Sequence, residues 1–582
     1  MVFIDDLNYM YIYIAKSNIV KQFYHLILCV AVLASCTTHN PSFQSCGTIG
    51  NHVMVSSAHP LASAIGLDVM KNDGNAIDAA IATHFALAVV YPQAGNIGGG
   101  GFAVIRMNDG TINSLDFREK APELAHREMY LNADGQLNDL QSKDGHMASG
   151  VPGTVDGIFA LHQKYGTLPM AELIEPSIEM AQRGYALTPL AAELLNTKQE
   201  EFRKHNRWST PYHSDQKWQA GDTIIQPDLA QTLEHIQTNG RNGFYEGIVA
   251  DEIVAEMQSG NGLISHADLK NYQSVWRKPI TGNYRGHQII SMAPPSSGGV
   301  ALIQLLQGTE GYPIADWGHN STKTIHLMAE LERRVYADRA TYLGDSDFVD
   351  VPLDQLLNSR YNEQRFSDIS FDKATPSALV SAGEIPPSES PETTHLSVVD
   401  ADGNAVAITT TLNSSFGNKV MVKGAGFFLN NEMDDFSSKP GSPNQFGLIG
   451  GDANAIAPHK RMLSSMTPTI VTYKDQLKMI VGTPGGSTII TSVYQTLLNV
   501  IDHGMGMQEA VNAKRVHHQW YPDEIRVETD ALTENVKTDL EQLGHQLRMT
   551  DKIGRMDCIL VLPDGRLEGG ADPRGDNTAL GY

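Results

Sequence analysis

The run Thr393-Thr394-His395-Leu396-Ser397-Val398-Val399-Asp400 places a hydroxyl nucleophile where a backbone cut would also supply its base. An α-amine has a reference pKa of about 7.7 to 8.0, so near neutral pH a threonine at a new N-terminus can pass its hydroxyl proton to its own amine. Upstream, the polar, proline-rich Pro386-Pro387-Ser388-Glu389-Ser390-Pro391-Glu392 reads as exposed chain, neither helix nor core strand. Downstream, Ser397 to Ile408 reads as two β-branched strands around Asp400-Ala401-Asp402-Gly403-Asn404, a turn with glycine where a positive φ is needed. If Asp400 pairs with Asn404, the pairing has a constant sum and Thr393 falls opposite Thr411, whose hydroxyl can orient the nucleophile. Taken alone, the same residues also describe an ordinary hairpin that begins with threonines.

A second stretch with chemical use is Gly482-Thr483-Pro484-Gly485-Gly486-Ser487-Thr488. It resembles a phosphate loop but lacks the lysine that reaches the phosphates. What it offers is the pair Gly485 and Gly486, two amides that a ligand can approach without side-chain obstruction and that can form an oxyanion hole. Gly98-Gly99-Gly100-Gly101-Phe102-Ala103 matches the dinucleotide pattern, yet it lies between a helix and a strand instead of opening a helix after a strand, which sets a nucleotide site aside. The chain has 21 histidines but no His-Glu-x-x-His, and adjacent His517 and His518 would point to opposite faces of a strand, so they read as structural. Cysteine spacing argues against a zinc site, and no metal or cofactor is expected.

These groups need a large scaffold. From Pro60 to Val90 the pattern is helical: Leu61, Ile65, Val69 and Met70 recur at helical spacing before Gly74, the expected C′ residue. Asn75 then caps a second apolar helix with Asp78 reaching back. Gly95 to Gly101 is a glycine-rich turn before the strand Phe102-Ala103-Val104-Ile105-Arg106. Helices dominate from about Val155 to Asn358, with a strand signal at Gln288-Ile289-Ile290-Ser291. The part after Thr393 is strand-rich, with later helices near Thr488 to Gly504 and Glu534 to Leu543. The chain is 582 residues long, 41% hydrophobic and 19% charged, a globular composition whose length alone suggests about three or four domains. With 43 Lys+Arg against 66 Asp+Glu, the net charge of −23 repels phosphate backbones, so nucleic acid is not an expected partner, while a local basic pocket for a small anion stays open.

Near the N-terminus, Lys16 and Lys21 precede the apolar run Leu26 to Ala34. A membrane-spanning helix needs roughly 20 residues, so this run is too short, but it suits a signal-peptide core. Leu33-Ala34-Ser35-Cys36 resembles a bacterial lipobox, in which the cysteine is lipidated and becomes residue one of the mature protein. An ordinary signal peptide cut nearby, or a buried apolar segment, is the alternative. Asp5 and Asp6 fit a signal poorly, so translation can start at Met1 or Met10. Residues 1–35 are thus expected to be a lipoprotein signal peptide, and Thr37, which is not the aspartate that retains such proteins in an inner membrane, favours an outer-membrane anchor. Of four cysteines, Cys29 and Cys36 belong to that signal, and pairing of Cys46 with Cys558 is left open.

Six strings in one order carry a family likeness: Gly74-Asn75-Ala76-Ile77-Asp78-Ala79-Ala80, Pro92 to Gly101, Asp116-Phe117-Arg118-Glu119, Thr393 to Asp400, Asn430-Asn431-Glu432-Met433-Asp434-Asp435-Phe436, and Ser464-Ser465-Met466. From about Val53 to Tyr582 the chain resembles γ-glutamyltranspeptidases, also called glutathione hydrolases, of the N-terminal nucleophile hydrolase superfamily. The resemblance implies an α+β fold, a four-layer αββα sandwich formed jointly by a large subunit, residues 36–392, and a small catalytic subunit, residues 393–582, after self-cleavage between Glu392 and Thr393. It implies a donor with an α-carboxylate, an α-amine and a scissile γ-amide, glutathione above all, and water, amino acids or dipeptides as acceptors. In that reading Arg118, Ser464 and Ser465 hold the carboxylate, and Asp435, Asn413 and Glu432 hold the ammonium. Gly485 and Gly486 donate to the oxyanion as Thr393 Oγ attacks. Pro440 to Gly447 matches the family's lid loop, with Phe446 where several members carry a tyrosine that bonds an asparagine matching Asn413; an apolar wall without that latch is expected.

Two other readings compete. Cephalosporin acylases share the scaffold but take a glutaryl group lacking the α-amine, for which Asp435, Asn413 and Glu432 would have no use. A non-catalytic surface lipoprotein that binds amino acids is the alternative of another class, and Thr393, Thr411, Gly485 and Gly486 together argue against it.

Overall fold

Strands Glu392–Val399 and Ala405–Asn413 form the antiparallel hairpin expected from the turn, closed by Asp400 N donating to Asn404 O at 3.2 Å, with Gly403 at φ +84°. The Asp400 carboxylate fixes that turn by accepting from Asn404 N (2.9 Å) and Nδ2 (2.8 Å). It also accepts from Ala76 N at 2.9 Å, tying the hairpin to the start of the helix Ala76–Val90.

The computed structural model describes residues 47–138, 140–381, 392–437 and 451–582. Among them, two seven-stranded antiparallel sheets form the centre of the fold. One runs in the order Thr578–Gly581, Met54–Ser57, Glu392–Val399, Ala405–Asn413, Gly100–Arg106, Ile112–Phe117, Val275–Arg277. The other runs Thr48–Gly50, Leu567–Ala571, Asp557–Val561, Gln476–Val481, Thr469–Tyr473, His287–Ser291, Ile280–Tyr284. Both sheets combine strands from before and after Thr393. The two parts therefore share one core, and the described residues make one compact unit instead of the several domains that length suggests.

Alternation along the hairpin sorts its side chains into layers. Leu396, Val398, Val406 and Ile408 face the helices Pro60–Lys71 and Ala76–Val90, whereas Val399, Ala405 and Ala407 meet Ile470, Ile480 and Ile559 between the sheets. A third core lies beneath Gly298–Thr309, Thr322–Tyr342 and Thr488–Ile501 on the far side of the second sheet. The result is the αββα sandwich that the family likeness implies.

Local signals decide several boundaries. Asn75 and Asp78 form the expected capping box, and every residue of Ala76–Val90 is buried, which explains a helix with no polar stripe. Gly74 is not the left-handed residue: Asp73 takes that role at φ +65°, a conformation aspartate tolerates. Gly74 is instead a close-approach site, where a Cβ would lie 2.5 Å from Val69 Cγ1. Strands Val275–Arg277 and Ile280–Tyr284 were hidden in a stretch that reads as helical; Pro279 separates them, and each joins a different sheet. Among the described residues no helix is long and apolar enough to cross a membrane, and Cys558 is a buried free thiol. Cys36, Cys46, the segment Pro386 to Pro391 and Phe446 lie outside the described residues.

Candidate active site

The predicted register holds to the end of the hairpin, with Thr393 opposite Thr411, Thr394 opposite Thr410 and His395 opposite Thr409. It breaks at the bond between Glu392 and Thr393: Glu392 faces Asn413, which leaves Leu412 as an extra residue on the return strand. Asn413 takes φ +74°, so that its N–H donates to Thr411 Oγ1 at 2.7 Å and its Nδ2 to Asn431 O at 2.9 Å. The Thr411 hydroxyl is thereby oriented beside Thr393, and both residues are buried.

The row continues across the sheet. Thr411 pairs with Gly100 and Gly101 with Phe117, which sets Arg118 beside Gly100 at the same sheet end as the threonines. Three strand spacings of about 4.8 Å place the Arg118 backbone roughly 14 Å from that of Thr393. An arginine side chain and a short extended ligand together span that gap.

Arg118 is 1% exposed and sits among acids. Its Nη1 lies 2.6 Å from Glu432 Oε2 and 3.5 Å from Glu119 Oε2, its Nη2 2.5 Å from Asp435 Oδ2, and it also donates to the carbonyls of Met462 and Leu463. One cation thus faces three buried carboxylates. The residues that the resemblance assigns to opposite ends of a zwitterion are each other's counterions, so a ligand carrying both charges can enter by exchanging one internal pairing for two external ones. A ligand carrying only a carboxylate would draw Arg118 away from Glu432 and Asp435 and bring no positive charge to them in return.

Nothing in the sequence alone assigns Glu119 a role. Burial pushes its carboxyl up to about 8 against the pull of Arg118, and neither oxygen has a hydrogen-bond partner among the described residues. Because its proton is held more tightly in the fold than at the unfolded value of 4.5, this group's stabilisation is complete below that pH and is lost as pH rises through about 8. Glu119→Gln cannot ionise, so relative to wild type it should gain stability between about pH 5 and about pH 9. Each tenfold difference in proton affinity is worth about 1.4 kcal/mol, so a gap of at least about 1 kcal/mol should open. Thermal unfolding across that range measures it, and parallel curves for the two proteins would mean that Glu119 is ionised throughout.

The glycine loop reaches the threonines from the other sheet. Strand Gln476–Val481 leads into Gly482, where a Cβ would lie 2.2 Å from the His395 ring. His395 stands two residues along Thr393's face, between Thr409 Oγ1 (2.8 Å) and Ser397 Oγ (3.1 Å), and burial holds it down to about 3, so it is neutral. Gly485 and Gly486 adopt φ +142° and +57°, which a side chain would resist. Their carbonyls accept from Thr488 N and Ile489 N at 3.1 Å, whereas neither amide N–H has an acceptor among the described residues. The turn therefore presents two amides as a donor pair.

Ser464 and Ser465 directly follow the carbonyls that Arg118 touches. Ser465 Oγ accepts from Arg339 at 3.1 Å, and Ser464 O accepts from Ser297 N and Oγ at 2.6 and 2.7 Å. Behind the glycine loop, Ser487 Oγ bonds Gln519 (2.8 Å) and Arg526 (3.2 Å), while Tyr336 donates to Ser487 O. His517 joins this network through Gln519 and Thr491, and His518 pairs with Arg333 and Asp523. The sequence alone assigns no role to Asn431, Arg339, Tyr336, Gln519 or Arg526. Asn431 lay inside a string that carried the likeness, but the others sit in stretches whose polarity reads as exposed surface.

The sequence profile of the family described as gamma-glutamyltranspeptidase matches residues 62–582. The chain belongs to that family. The glutathione hydrolase proenzyme of Escherichia coli strain K12 is 45% identical over 532 residues, 91% of this chain and 92% of its own. Among solved structures, cephalosporin acylase from Bacillus halodurans superposes with a TM-score of 0.79 at 26% identity, over 94% of this chain and 98% of that one. A chain of the Helicobacter pylori gamma-glutamyltranspeptidase matches with a TM-score of 0.55 at 47% identity, over 56% of this chain and 94% of its own. This gamma-glutamyltranspeptidase-family chain is accordingly an enzyme of the N-terminal nucleophile hydrolase fold, with the glutathione hydrolase reading ahead of the acylase one.

Proposed function

We propose that the chain cuts itself between Glu392 and Thr393, and that the new N-terminal threonine transfers the γ-glutamyl group of glutathione and related amides to water, amino acids or dipeptides. Thr393 Oγ first attacks the Glu392 carbonyl, the amide becomes an ester, and water releases a large subunit ending at residue 392. The exposed amine then serves as base. Its hydroxyl attacks the γ-amide, Gly485 and Gly486 stabilise the oxyanion, and the amine protonates the departing peptide nitrogen. Water or an acceptor amine resolves the ester. Arg118, with Ser464 and Ser465, holds the donor's carboxylate, and Asp435, Glu432 and Asn413 hold its ammonium.

The observation that carries this reading is the buried cluster of Arg118 with Glu432 and Asp435 in the same sheet-end row as Thr393. It suits a zwitterion and disfavours a glutaryl group, despite the overall likeness to an acylase. Two mature chains are also supported by the Helicobacter pylori match, where 94% of that chain spans only 56% of this one. Incubation with glutathione should yield glutamate and cysteinylglycine, and added glycylglycine should yield its γ-glutamyl derivative. Faster turnover of a glutaryl amide than of glutathione would reverse the assignment.

Export as a lipoprotein belongs to the same reading. Residues 1–35 would be removed and Cys36 acylated, making the lipid the only membrane attachment. Cys36→Ala should release the enzyme into the soluble fraction or leave an uncut precursor; a mature N-terminus whose intact mass carries no lipid would rule out the anchor.

A further inference from the structure

We propose that one turn of the helix Thr322–Tyr342 sets the spacing between the two halves of the reaction site: Tyr336 positions the oxyanion turn at Gly485 and Gly486, and Arg339 positions the carboxylate loop at Ser464 and Ser465. This rests on the γ-glutamyl-transfer reading above.

Both loops leave the same end of one hairpin. Strands Thr469–Tyr473 and Gln476–Val481 are antiparallel, and their ladder ends with Thr469 opposite Val481. Ser465 lies four residues before Thr469 and Gly485 four residues after Val481, so the chain forks there. One arm becomes the loop assigned to the donor's carboxylate, the other the turn that offers amides to its carbonyl. Past the fork the arms take different partners: Ser464 O accepts from Ser297 N at 2.6 Å, whereas Gly482 O accepts from Asp557 N at 3.1 Å. The ladder therefore does not fix how far the arms open.

Two side chains three positions apart on one helix do. Residues so spaced are neighbours on a helix surface, about 5 to 6 Å apart between Cβ atoms. Tyr336 OH donates to Ser487 O, in the residue that follows the glycine pair. Arg339 grips the other arm with two nitrogens. Its Nη2 donates to Ser465 Oγ at 3.1 Å, and its Nε to Ser297 Oγ at 2.8 Å, whose own proton goes to Ser464 O at 2.7 Å. Both side chains are buried. The helix also holds the oxyanion turn at second hand: Glu332 Oε2 accepts from His518 N at 2.7 Å, and the next residue, Gln519, accepts from Ser487 Oγ at 2.8 Å.

The bar between the two grips is stiff. Leu331 and Val335 fasten the helix in the core over the second sheet, and the Tyr336 ring stands edge-on to His517 with centroids 5.8 Å apart. The helix comes from the chain before Thr393 and both loops from the chain after it, so after self-cleavage the spacing of the site depends on the docked large subunit. The two grips act at different stages of the reaction. Amides at an oxyanion matter where charge develops on the carbonyl oxygen, so displacing them costs kcat. A donor carboxylate is held alike before and during reaction, so loosening its loop costs KM.

The test uses that split. Tyr336→Phe keeps the ring against His517 and deletes one hydrogen bond, so kcat for both glutathione and γ-glutamyl-p-nitroanilide should fall about tenfold while KM stays within about twofold. Arg339→Lys keeps the buried charge but not the fork, so KM for both donors should rise about tenfold while kcat stays within about twofold. The boronic acid analogue of glutamate separates positioning from general loosening. Its boron bonds Thr393 Oγ, whose proton passes to the amine, and the tetrahedral adduct sets an oxygen at the amides. Tyr336→Phe should bind it about tenfold more weakly and bind glutamate as wild type does, whereas Arg339→Lys should lose affinity for both alike. Equal weakening of the boronate and glutamate in Tyr336→Phe would make Tyr336 a merely structural residue and overturn the proposal. So would an unchanged kcat in that variant, or a fall in kcat without a rise in KM in Arg339→Lys. A wild-type enzyme inert towards both donors would instead defeat the γ-glutamyl reading, and the proposal with it.

Discussion

Thr393→Ala is expected to give one uncut chain without measurable γ-glutamyl hydrolysis or transfer. The hydroxyl is required twice, first against the Glu392 carbonyl and then against the substrate, and the amine that serves as base does not exist until the first attack succeeds. Both functions vanish together, and the activity loss should be on the order of 10⁴-fold or more. The fold should survive, because alanine keeps the strand and its pairing with Thr411, and the shared core lies farther along the hairpin at Leu396, Val398 and Val399. Thermal unfolding of the variant should therefore stay close to that of an uncut wild-type precursor. Thr393→Ser keeps a hydroxyl and should still cut, with its small chain beginning at residue 393. An intact Thr393→Ala chain with full activity would end the mechanism.

What was legible beforehand follows from how local each signal is. The hairpin register was readable because Asp400, Gly403 and Asn404 specify one turn, and a single pairing then fixes every other, out to Thr393 and Thr411. The glycine pair was readable because few other reasons place two glycines before a helix. Arg118 meeting Glu432 and Asp435 was not, since more than 300 positions separate it from them and only the family likeness connected them, at opposite ends of a ligand and not in contact. The same holds for Tyr336, Gln519 and Arg526 behind Ser487. Their polarity is that of solvent-facing residues, and nothing local reports that a second sheet and its helices will cover them. Pro279 shows the converse: a strong local signal whose consequence, sending adjacent strands to different sheets, depends on the whole sandwich.

Arg118→Ala should have two separable effects, because the structure gives this residue two tasks. Loss of a charge-assisted, two-pronged grip on the donor carboxylate is worth about 2 to 5 kcal/mol in a desolvated site, so kcat/KM for glutathione should fall roughly 30-fold to several thousandfold. The variant also leaves Glu432 and Asp435, with Glu119 close by, buried without their cation. Removing one partner of a buried pair typically costs about 3 to 5 kcal/mol unless the stranded acids take up protons, so the thermal midpoint should drop and should partly recover as pH is lowered. Arg118→Lys separates the tasks: it restores a positive charge among the acids, and with it most of the stability, but not the planar fork that matches a carboxylate, so affinity should stay low. Self-cleavage should persist in both variants, since attack of Thr393 on Glu392 involves no bound glutamyl group. Wild-type kcat/KM in a normally processed Arg118→Ala enzyme would show that the donor carboxylate binds elsewhere. A normal thermal midpoint in that variant, with activity lost, would instead show that Arg118 serves the substrate alone.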